Sequence, residues 1–230
     1  ALPDRAMTRQ YREYVEGDHA ATLTIEQSRM LGPDSSNPLA DNVLKMVLNA
    51  SAARLELTGY ECEDQVVLDF LTFDLFTKNN FGKIVFDANF AMLRDGDHFL
   101  GLDWLPESSR PIVKQIKVWD GIDGMFVAYD GYGLPSYACR EWHEVIDGKE
   151  RVRRTIYYPD RIERWIQEGK GWKPYRNGGD PEGTNGIIKW TKTDGSPLGI
   201  PVVHLANGSY KDSHYGVSDI KGMLALQDDI

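Results

Sequence analysis

Along the first part of the chain, apolar residues recur at steps of three and four, the period of a helix with one buried side. Arg5 to Glu16 is charged, carries Tyr11 and Tyr14 on one face and stops at Gly17. Thr24, with Gln27 three residues on, opens a short helix to Met30, and the GPDSSNP run from Gly32 to Pro38 is a loop. A stronger helix spans Leu39 to Ala53, with Val43, Val47 and Ala50 on one stripe and Leu44 and Leu48 beside it. Leu55 to Leu57 alternates like a short strand, closed by Gly59. Glu63 and Asp64 place acid at the start of the next helix, where Val66, Val67, Phe70, Leu71 and Phe73 make a face wide enough for burial on two sides. Asn79 to Arg94 is a third long helix, ended by Asp95-Gly96.

The period then changes to two. Strands are expected at His98–Trp104, Ile112–Val118, Met125–Tyr129, Tyr137–Val145, Arg151–Tyr158, Arg161–Gln167 and Trp172–Tyr175. Asp123-Gly124, Asp147-Gly148 and the Glu168–Gly171 run read as hairpin turns. A long polar loop from Arg176 to Gly199 holds one short strand, Ile187–Trp190, and Ile200–Leu205 is the last strand. Ser218 caps a helix over Asp219–Ile230. That helix ends in Gln227-Asp228-Asp229, acids at the negative end of its dipole, so it is expected to continue in a longer chain. The pattern predicts an α+β fold: N-terminal helices, a mainly antiparallel β meander or sandwich-like sheet, and the start of a long helix. The divisions fall at 1–96, 97–207 and 208–230.

Charge narrows the function classes. The 230 residues carry a net charge of -9, which argues against a broadly cationic grip on nucleic acid. One stretch departs from this: Arg151 to Arg176 holds eight basic and three acidic residues, interleaved with Tyr157, Tyr158, Trp165 and Trp172. It reads either as a nucleic-acid-binding stripe or as a sheet face whose arginines meet acids on a neighbouring subunit. Cys62 and Cys139 make no CxxC pair and read as reduced thiols. Cys139 and His143 share a strand face, but two ligands make no zinc site. His98 and His204 read as hydrogen-bonded structural residues. No Walker A, GxGxxG, HExxH or GxSxG motif is present. Six Trp residues would suit a sugar platform, leaving a carbohydrate-active or other hydrolytic β-sandwich enzyme as an alternative, with no carboxylate pair to nominate. No catalytic, cofactor or metal residue is assigned. No apolar run reaches the roughly 18 residues of a membrane span, so no membrane partner is expected.

Several stretches taken in order carry a resemblance. They are Tyr11-Arg12-Glu13-Tyr14; Gly17-Asp18-His19; the helix-to-strand unit Asn42–Gly59; Asn80-Phe81 leading to Ala91–Phe99 (AMLRDGDHF); Tyr158-Pro159-Asp160-Arg161-Ile162; Ile200–Asn207 (IPVVHLAN); and Tyr215–Ile220 (YGVSDI) running into Leu226-Gln227-Asp228. Their order resembles the N-terminal half of the portal proteins of tailed bacteriophages. The resemblance implies a non-enzymatic ring subunit, twelve-fold when complete, made in the host cytoplasm and placed in the virion at one capsid vertex. Double-stranded DNA would pass through the ring. Its other partners would be the major capsid and scaffolding proteins, the terminase and the head-completion adaptor. This chain would be the wing, short of stem, clip and crown. Arg151, Arg153, Arg154, Arg161 and Arg164 would then lie at the subunit interface. Ser218, Asp219, Gln227, Asp228 and Asp229 would lie nearest the channel.

Overall fold

The computed structural model describes residues 5–17, 43–105, 110–176, 180, 183–208 and 213–224. Among these residues four α-helices come first: α1 (Arg5–Glu16), α2 (Val43–Ala52), α3 (Gln65–Asp69), which runs straight into a π-helix (Phe70–Thr77), and α4 (Phe81–Asp95). Nine strands follow: β1 (Asp97–Leu105), β2 (Arg110–Lys117), β3 (Gly124–Tyr129), β4 (Pro135–Ile146), β5 (Lys149–Tyr157), β6 (Arg161–Glu168), β7 (Gly171–Pro174), β8 (Ile187–Lys189) and β9 (Val202–Ala206). The α+β class is therefore as the pattern predicts, with the change of period falling at Gly96.

The strands form two antiparallel sheets, one ordered β2-β1-β9 and the other β3-β4-β5-β6-β7 with β8 beside β6. The small sheet is the middle layer. Side chains alternate across β1, so Phe99 points towards the large sheet while His98 points towards the helices. On the first side, Phe99, Ile116 and Val118 pack with Met125, Val127 and Ala138. On the helical side a second core gathers Tyr11 and Val15 of α1, Leu44 and Leu48 of α2, Leu93 of α4, and Ile220. Ile220 belongs to the last described segment, which is thereby sewn into the helical layer.

Several expectations need correction. Leu55–Leu57 is not a strand; it is irregular chain with both leucines exposed. In α2 the buried stripe is Leu44, Leu48 and Ala52, four residues apart, which leaves Val43 and Val47 exposed. The helix opened by Asp64, whose side chain accepts from the amides of Val66 and Val67, does not stay α. The Thr72 hydroxyl donates to the Leu68 carbonyl and accepts from the Tyr60 hydroxyl, both at 2.7 Å. Side-chain insertion of this kind loosens the regular ladder and accompanies the wider π turn. Asp123-Gly124 turns no hairpin: β2 and β3 lie in different sheets, joined by a parallel bridge between Val118 and Met125. Asp147-Gly148 does turn one, with φ of 52° and 71° as a type I′ turn requires. Residues 219–223 form successive turns, and helix is reached only at Leu224. The helix expected at Thr24–Met30, the loop at 32–38 and Gln227, Asp228 and Asp229 lie outside the described residues.

A part-buried charge network joins α1 to the end of α4 and to the connection between β2 and β3. The Arg12 guanidinium donates to Asp95 Oδ2 (2.9 Å) and to Asp120 Oδ2 (2.8 Å), and Arg94 donates to Asp95 Oδ1 at 2.7 Å. Burial would raise the Asp120 carboxyl. The Lys117 hydrogen bond and the amides of Asp123 and Ile122 outweigh that and hold it at about 2. His98, beside this network, is driven by burial down to about 4, with Asp95 offsetting part of the drop. Its neutral form is thus favoured by folding. Below the ordinary histidine value near 6.5 the unfolded chain binds the proton first, so stability is full above that pH and drains away as pH falls towards 4. Urea unfolding should therefore lose roughly 3 kcal/mol between pH 7 and pH 4. His98→Gln should remove most of that slope. A variant with the wild-type slope would contradict the assignment.

Candidate functional site

Three stretches, one of them more than a hundred residues from the other two, meet at one junction. They are the end of α4 (Leu93 to Asp97), the end of β9 (His204 to Asn207) and Tyr215 to Asp219. Gly96 takes φ 88°, which ends the helix, and its carbonyl accepts the Asn207 amide at 2.9 Å. The Asn207 carbonyl in turn accepts the Val217 amide at 2.8 Å. The Asn207 side-chain amide donates to the Val217 carbonyl (2.8 Å) and to Asp219 Oδ1 (2.6 Å). The Asp219 amide returns to the Leu93 carbonyl at 3.0 Å. Ser218 accepts the Ile220 amide at 3.2 Å, as a cap does, and donates to the Arg94 carbonyl, an orphan acceptor at the end of α4. Backbones lie so close here that a Cβ on Gly216 would overlap the Gly96 oxygen and the Asn207 nitrogen.

Beneath the junction lies Asp97, fully buried. Its Oδ1 accepts from the Gly216 amide and from His204 Nε2, each at 2.8 Å. With the proton on Nε2, His204 Nδ1 is the acceptor for the Tyr129 hydroxyl at 2.6 Å. A carboxylate–imidazole–hydroxyl chain is the order of a nucleophile relay. Here burial first, and Asp97 second, raise the Tyr129 phenol above its ordinary value, the opposite of activation. What the hydrogen bonds do show is positioning: they tie β1, β3 and β9 to the last segment. Tyr215 adds a fourth tie, donating to the Val127 carbonyl (2.7 Å) and accepting its amide (3.0 Å).

The arginines expected at a subunit interface sit on the large sheet, and four of them meet acids of their own chain, three of these also lying over aromatic rings. Arg154 donates twice to Glu141 Oε1, at 2.6 and 2.9 Å, and lies 3.9 Å over the Trp172 ring. Arg153, buried, donates to Glu144 (2.7 Å) and lies 3.8 Å over Tyr175. Arg161 donates to Glu163 (2.7 Å) and Asp160 (3.1 Å) above Tyr158. Arg164 pairs with Asp180, which stands outside the 151–176 stretch. Arg151 is half-buried and opposite Glu144 in the β4–β5 register. The stripe is basic in sequence, but β4 and the following loop bring acids to it in space. Ser218 and Asp219 belong to the junction, and the arginines, expected at a different surface, lie apart from it on the large sheet.

Among the described residues there is no cluster of three or more His, Cys, Asp or Glu able to hold a metal ion, and no helix is long and apolar enough to cross a membrane. The buried Cys139 thiol is pushed by burial up to about 12, so it stays protonated. Comparison with known proteins returns no matching family model and no matching curated protein.

The junction gives a paired test. Gly216→Ala should cost more than about 3 kcal/mol, because backbone on two sides must move. Gly222→Ala, in the same segment with open space around its Cβ position, should cost less than about 0.5 kcal/mol. Equal melting shifts for the two would contradict the packing described.

Proposed function

We propose that the chain is the wing part of a portal-type ring subunit, non-enzymatic, working as a scaffold around a passage for double-stranded DNA. The observation that carries this reading is the junction itself. Three of the stretches on which the portal resemblance rests are Ala91–Phe99, Ile200–Asn207 and Tyr215–Ile220. They hydrogen-bond to one another rather than lying scattered over the fold. Residues that mean nothing separately therefore serve one purpose, which is to fix where the last segment leaves the wing. In a ring subunit that exit sets the angle at which a channel-lining helix starts. The sheet arginines support a scaffold more than a phosphate grip, since Arg153, Arg154, Arg161 and Arg164 are paired within the chain.

Subunits of such a ring make head-to-tail contacts that close. Native mass spectrometry of the protein from its complete reading frame should give one closed species of about a dozen subunits. Electron micrographs should show a central hole. A protein that stays monomeric, or stops at a two-fold dimer, at high concentration would overturn the reading.

A further inference from the structure

The helical layer carries a surface that neither the junction nor the sheet arginines use. Between Leu55 and Thr77 the chain has six acids and no Lys or Arg. Its acids Glu56, Glu61, Glu63, Asp64 and Asp69 are exposed, and none is in a salt bridge among the described residues. Among them stand apolar side chains in solvent: Leu57, Val67 and Phe70, with Val66 78% and Phe73 59% exposed. The inner side of the same arm is firmly held. Tyr60 stacks on Phe76 at 4.4 Å, and the Asn79 side chain bonds the Leu75 and Pro111 carbonyls and the Val113 amide. A groove of about 390 Å³ opens behind it, walled by Leu55, Phe76, Phe81 and Val85. An anchored arm with an apolar, acid-rimmed outer side is a prepared surface, because its ordering cost is already met in the free protein.

We infer that this arm docks a basic amphipathic helix of another protein, apolar stripe against Val66, Phe70 and Phe73, with flanking Lys and Arg facing the carboxylates. Charge selects that occupant. A second copy of the chain is net -9. The chain's own segment 18–42 brings four acids against one Arg and would meet like charge. A cationic partner gains both apolar burial and electrostatic complementarity. The inference stands apart from the ring reading and could hold if that reading failed.

The probe is a synthetic Leu/Lys peptide of about four helical turns with its leucines on one stripe, read by fluorescence anisotropy. A scrambled peptide of the same composition is the control. The stripe peptide should bind saturably at one site and weaken in high salt. Val66→Glu with Phe73→Glu should weaken it at least about tenfold. Val66→Ser with Phe73→Ser, which leaves the charge alone, should weaken it too. These side chains are exposed, so unchanged melting curves are expected for both pairs. Equal binding of the scrambled peptide, equal binding by the variants, or no binding would overturn the inference. So would a self-association of the chain that either double variant abolishes, because the surface would then belong to a second copy.

Discussion

The Asp97 carboxylate sits where β1 begins, out of contact with water, and one of its oxygens receives both the Gly216 amide and the His204 ring. The other oxygen has no hydrogen-bond partner among the described residues. A buried carboxyl supported from one side depends on that support, since leaving a buried acceptor unsatisfied costs on the order of 1–3 kcal/mol. The position of the last segment is therefore a condition for burying Asp97 at all. The same carboxylate sets the His204 tautomer, which in turn sets the Tyr129 hydroxyl. One constraint passes through four elements by bonds of 2.6 to 2.8 Å.

Around this constraint the layers have distinct tasks. The small sheet separates two apolar cores and lets each be packed independently. The helical core accepts Ile220, so the last segment is held by apolar burial as well as by hydrogen bonds. The large sheet balances its own charge across neighbouring strands: Glu141 stands opposite Arg154 in the register, and the two side chains pair. Cross-strand ion pairs of this kind align a sheet more than they stabilise it.

Much of the fold was legible because it depends on local periodicity. Asp95-Gly96 and Asp147-Gly148 marked their turns through the left-handed conformation of glycine, and the shift from period four to period two marked the start of β1. What was not legible depends on distance. Leu44 and Val47 are equally apolar, and only the tertiary contact decides which is buried. The π-helix is accompanied by a hydrogen bond from Tyr60 to Thr72 across twelve residues. The arginine stripe looked cationic because its acids arrive from β4 and Asp180. The junction motifs were visible as residues, DGDH, HLAN and YGVSD, but their meeting was not. A glycine excluded from bearing a side chain by two backbones leaves no trace in spacing.

The central claim is that α4, β9 and the last segment behave as one body. Hydrogen exchange followed residue by residue in the native protein tests it most directly. The amides of Asn207, Gly216, Val217 and Asp219 should exchange only with the opening that also releases α4 and β1, giving protection close to the global unfolding free energy. Asp97→Asn should lower all four together. If Gly216, Val217 and Asp219 instead exchange within seconds while α4 and β1 stay protected, the last segment is loosely laid on the fold, and the junction does not hold it.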